Sequence, residues 1–107
     1  MGNFTHYSEH VGANKERWFK STIFLSPNML VGMDCLEPGQ VQPPHSHHGR
    51  DKCYFVIEGE GEFTVGDETR RLGPGGLAWA PADVSHGVRN VGDGRLTMLI
   101  AMAPEPK

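Results

Sequence analysis

Residues Gly39 to Gly61, GQVQPPHSHHGRDKCYFVIEGEG, hold three of the chain's six histidines within four positions. Behind them runs a strand-like apolar segment, Cys53 to Ile57, that closes on a glycine-rich turn. Along a strand, side chains two apart share a face and stand about 6.7 Å apart. His45 and His47 can therefore converge on one ion, while His48 points away. Neutral imidazole is the commonest transition-metal ligand, and this pair supplies two nitrogens at once. Two ligands rarely suffice. His86 is the only other histidine in a strand-like run. It follows a proline-containing turn, from which an antiparallel barrel can bring it opposite the first pair.

Outward from this stretch the chain reads as short strands divided by turns. Trp18 to Leu25 is a first strand region, broken by Ser26-Pro27-Asn28, and Met29 to Leu36 is the next. Val41 to His47 is extended, and Pro43 and Pro44 place it at an edge because neither can donate to a ladder. Lys52 to Glu58 is apolar on both faces, the pattern of a strand buried between two layers. Further strands are expected at Glu62 to Val65, Thr69 to Leu72, Leu77 to Ala80, His86 to Asn90 and Leu96 to Met102. No helical period of useful length interrupts them, so the class is all-β, a sandwich or closed barrel.

Composition limits the rest. With 107 residues there is room for one domain. We divide the chain into a flexible N-terminal arm (1–15), a barrel domain (16–103) and a polar tail (104–107). Fourteen glycines and eight prolines, spread at turn-like intervals, favour many short strands. A formal charge of −3 without a basic cluster argues against nucleic acid or an acidic membrane as partner. Residues 1–9 show neither a basic nor an apolar leader segment, and no apolar run reaches the length of a membrane span. Cys35 and Cys53 lack metal-type spacing and read as two buried thiols of a cytoplasmic protein.

Two segments together resemble the cupin motifs. Gly39, five residues, then His45-Ser46-His47 and later Gly59 is similar to the first. Gly75, five residues, then Pro81-Ala82-Asp83, two residues, His86, three residues and Asn90 is similar to the second. The resemblance covers about Cys35 to Ile100. It implies a small single-domain cupin: a double-stranded β-helix, that is, a small antiparallel β-barrel or jelly roll with a metal in its mouth. His45, His47 and His86 match the family's three histidine ligands. The glutamate that the first motif usually adds is replaced by Lys52, which cannot ligate while protonated. Asp51, one residue earlier, could serve instead if the strand begins with a bulge. Asp83, in place of the second motif's glycine, tolerates turn geometry.

Two roles are open to Lys52. It swings out to pair with Asp51 or Glu58, or it stays in the mouth and holds an anionic group. By alternation Tyr54 and Val56 share its face and line the interior; Phe63, Trp79 and Met98 are further candidates for the pocket wall. Three neutral histidines suit Fe, Mn, Zn, Ni or Cu, and ligand type does not choose among these divalent transition metals. A small-molecule substrate or ligand is the expected partner. The resemblance implies metal-dependent chemistry, with an oxidoreductase of dioxygenase type in front and a non-catalytic binding or sensor module as the alternative. The apolar strand from Trp18 to Leu25 and the two-faced strands predict a homodimer through sheet packing.

Overall fold

Among the described residues, nine strands form where strand-like runs were expected: β1 (Phe19–Ser26), β2 (Met29–Leu36), β3 (Val41–His45), β4 (Asp51–Glu58), β5 (Gly61–Val65), β6 (Glu68–Leu72), β7 (Leu77–Ala80), β8 (His86–Asn90) and β9 (Leu96–Ala103). The structure, a computed structural model, describes residues 2–105. The ends of the expected arm and tail, Met1 and Pro106–Lys107, lie outside the described residues. No helix among those described is long and apolar enough to cross a membrane.

Every pairing is antiparallel, in two sheets ordered β1-β2-β9-β4-β7 and β3-β8-β5-β6. Their inner faces close on a core of Leu36, Tyr54, Val56, Phe63, Val88, Leu96, Met98 and Ile100. Burying each aliphatic side chain of this kind contributes roughly 1.5–3 kcal/mol. β9, which brings three of the eight and pairs with both β2 and β4, is the central stave of the larger sheet. This is the double-stranded β-helix architecture that the resemblance implied.

β4 departs from expectation. Lys52, Tyr54 and Val56 are buried, but Cys53 and Phe55 on the opposite face are exposed. Among the described residues no second layer covers that part of the sheet. The two-faced apolar pattern there does not mark a buried strand, and Cys53 is not a buried thiol. Trp79 pairs with Cys53 on the same outer face and is 62% exposed, which removes it from the interior. The second half of β2 is buried on both sides. Leu36 faces the core, while Met33 and Cys35 join Ile23 in a second cluster that Val11 and Phe19 cover from outside. Ahead of the barrel, a short 3-10 helix (Tyr7–His10) is capped by His6 and Glu9. Ser21 Oγ donates to the His10 carbonyl at 2.9 Å and Gln40 Nε2 to the Asn14 carbonyl at 2.7 Å, tying this segment down.

Turn geometry follows residue type. Gly59 sits at φ 84°, where an added Cβ would strike the backbone of Arg95 and Leu96, so only glycine fits. Asp83 is the one non-glycine residue with positive φ among those described, at 68°, so it takes the left-handed conformation of the glycine it replaces.

Candidate metal centre

Proline chemistry sets the approach to the site. The β3–β8 register slips between Gln42 and His45, across Pro43 and Pro44, and resumes with His45 directly opposite His86. His45 thus ends β3 and His86 begins β8. His47 lies two residues on, in the turn before β4, where its carbonyl accepts the Asp83 N–H at 3.0 Å. The ring centroids are 4.5 Å (His45–His86), 4.8 Å (His45–His47) and 5.2 Å (His47–His86) apart. One nitrogen from each lies within 4.8 Å of the others. Nitrogens this close are candidates to share one ion, whose metal–imidazole bonds are roughly 2.0–2.1 Å long.

Backbone carbonyls fix two tautomers. Nδ1 of His45 is 2.8 Å from the Pro43 carbonyl and Nδ1 of His86 is 3.0 Å from that of Val84. A carbonyl can only accept, so each Nδ1 carries the proton and each Nε2 presents its lone pair. The Nε2 atoms of His47 and His86 are buried without a hydrogen-bond partner. Buried nitrogens left in this state are costly unless something accepts their lone pairs, and a metal cation fits that requirement.

Electrostatics favour the neutral form of His47 and His86. Burial pushes His47 down from 6.5 to about 4, helped by the neighbouring charges of His45, Lys52, His86 and Arg50. Burial likewise lowers His86, against the opposing Val84 hydrogen bond. Between pH 6.5 and about 4 the unfolded chain therefore binds protons that folded His47 refuses, and stability rises with pH across that window. The stabilisation is present above 6.5 and is lost on acidification toward 4. Metal-free protein is expected to show a melting temperature that falls steadily as pH is lowered through this range, followed by calorimetry. A flat profile there would mean that the rings are not held neutral.

The remaining site candidates fall in different places. Asp51 is exposed and stands outside the histidine group; no bulge turns it inward, and its Oδ1 accepts the Ala82 N–H at 2.8 Å. Its carboxylate joins the two motif loops instead of facing the histidines. His48 points to solvent and meets Asp83 at 2.9 Å, an exposed pair of small energetic weight. Lys52 does not swing out. It is 6% exposed, its Nζ lies 3.9 Å from Asp34 Oδ2 and 4.7 Å from the Tyr54 ring centroid. Burial lowers its pKa and Asp34 opposes that shift. Tyr54 stands beside His86, with centroids 6.2 Å apart, while Val56, Phe63 and Met98 lie in the core.

A cavity of about 370 Å³ opens beside the histidines, with His45, His47, Lys52, Asp34 and Gln42 on its polar side and Trp18, Leu30, Ile100 and Met102 on its apolar side. Asp34 and Gln42 escaped the sequence reading. Both are buried, and Gln42 Nε2 donates to Asp34 Oδ2 at 2.8 Å. The available signal was a lone carboxylate inside the apolar run from Met29 to Leu36, a position that a charge occupies only with a partner.

Comparison with known proteins agrees with the fold. The sequence profile of the Cupin domain family matches residues 32–102. The solved structure of TT1209 from Thermus thermophilus is 39% identical, superposes with a TM-score of 0.92, and the alignment covers 96% of this chain and 98% of that one. The SCO3923 protein of Streptomyces coelicolor is 32% identical over 80 residues, 73% of each chain. A 5-nitrosalicylic acid 1,2-dioxygenase of Bradyrhizobium sp. is 31% identical over 71 residues, which are 66% of this chain and 34% of that enzyme.

Proposed function

This chain belongs to the cupin family, and from that premise we propose that it is a metal-dependent cupin acting on a small organic molecule, with His45, His47 and His86 as the protein's ligands. The unpartnered, buried Nε2 atoms of His47 and His86 carry this reading. A divalent transition metal held there supplies Lewis-acid or dioxygen-activating chemistry. The chain's own residues orient and select. The Pro43 and Val84 carbonyls hold two rings in the ligating tautomer, and Leu30, Ile100 and Met102 exclude water from one side of the cavity. With three neutral imidazoles and no carboxylate among the ligands, the ion keeps its full charge, which favours an anionic further ligand.

Dioxygenase-type oxidoreduction is the reaction class we favour, supported by the three-histidine donor set and by the Bradyrhizobium relative. That relative's name gives it action on an aromatic hydroxy acid, which makes hydroxybenzoates the first substrates to try. Protein prepared without a histidine tag is expected to hold close to one equivalent of metal. The iron-loaded form is expected to consume dioxygen with some member of a panel of hydroxybenzoates, diols and diketones. Metal without turnover across the panel would favour a non-catalytic binding or sensor module. Absence of metal after loading would overturn the proposal.

A further inference from the structure

We propose that Lys52 selects the ligand: it anchors an anionic oxygen, a carboxylate, on a small molecule whose other polar end faces the histidines. The inference rests on the metal-site reading for the far end of that molecule, and on Lys52's own surroundings for this end. An ammonium in a barrel interior is costly unless its protons are satisfied. Among the described residues, the Lys52 ammonium makes no side-chain hydrogen bond. The nearest opposite charge, Asp34 Oδ2, is 3.9 Å away, against the roughly 2.7–2.9 Å of a charge-assisted hydrogen bond. That oxygen already accepts from Gln42 Nε2. A buried ion pair serving structure alone would close this gap; here it is held open beside a cavity that Lys52 lines.

Charge and shape point the same way. Lys52 and Asp34 carry opposite charges, and Lys20, across from Asp34 on β1, adds a second cation to the cavity lining. Anions are therefore favoured over cations. The facing wall of Leu30, Ile100 and Met102 suits a hydrocarbon or aromatic body, and the volume falls in the usual small-molecule range of roughly 300–1,000 Å³. Gln42 Oε1, buried without a partner, offers an acceptor to a hydroxyl or amide on the same ligand.

The test compares 3,4-dihydroxybenzoate with 3,4-dihydroxybenzamide, whose diol ends are alike and whose other ends differ by one charge. Titration calorimetry on zinc-loaded protein is expected to show the acid binding at least about tenfold more tightly. Lys52→Met is expected to bring the two within about threefold by weakening the acid alone, with metal content unchanged. Because that substitution leaves Asp34 uncompensated, the double variant Lys52→Met/Asp34→Asn is measured beside it and is expected to behave the same way. Equal binding by the wild type, or a preference that survives in both variants, would overturn the role of Lys52. Zinc content is assayed separately, so a failed metal centre shows as metal lost from the wild type. In that event the same acid–amide comparison on metal-free protein, read as the rise in melting temperature, decides Lys52 by itself.

Discussion

His86→Ala is expected to lower affinity for a divalent transition metal by more than about 100-fold while the barrel stays folded. Residues that merely orient a ligand are worth roughly 10–100-fold in metal affinity, so deleting a donor should exceed that. His86 is buried and directly faces His45, and its Nε2 has no hydrogen-bond partner among the described residues. The fold survives because the β8 ladder is backbone, and because the substitution also removes an unsatisfied buried nitrogen. His45→Ala should lose metal in the same way. Metal content by mass spectrometry, with far-ultraviolet circular dichroism for the fold, decides each case. Unchanged metal content in either variant would strike that residue from the site.

Asn90→Ala is expected to destabilise the protein by about 3 kcal/mol, with no direct effect on the histidines. The Asn90 amide is buried and makes three bonds: Nδ2 donates to the carbonyls of Leu36 (2.8 Å) and Gly94 (2.9 Å), and Oδ1 accepts the Gly92 N–H (2.9 Å). It thus ties the end of β8 to β2 and shapes the turn into β9. Each buried polar group stripped of its partner costs about 1–3 kcal/mol, and alanine strips several. For a domain near this size the loss corresponds to roughly 10–20 °C in melting temperature. Arg89→Ala, next in sequence, removes only an exposed 3.1 Å pair with Glu62 and should cost less than about 1 kcal/mol. Chemical denaturation of both variants makes the contrast, and similar losses would refute the assigned role of Asn90.

The fold was legible because punctuation and periodicity agreed. Glycine and proline marked the turns, and strand-like runs filled the intervals, so the nine strands described lie where they were expected. The histidine convergence was legible because a closely spaced pair and one distant histidine fall within ordered motifs, although His47, expected on the strand, lies in the turn beyond β3. Burial of β4 was not legible, since alternating apolar residues give no sign of whether a second layer exists to cover Phe55. Trp79 misled for the same reason: its residue type is typical of cores, but its register places it beside Cys53 on the outer face. Lys52 could not be resolved between inside and outside without its neighbour Asp34, 18 positions earlier, which only the closed barrel brings within reach. Asp51 was open for a related reason, because its use of the Ala82 N–H depends on a loop contact 31 positions away.

His45 and His86 belong to the smaller sheet and His47 to the turn that leaves it, whereas Lys52 and Asp34 belong to the larger one. Gln42, reaching from β3 to Asp34, bridges the two. On the proposed reading, ion capture and substrate choice would fall to separate walls of one vessel. Descendants of this chain could then exchange the residues on one wall to accept a new compound while the opposite wall kept its grip on the ion.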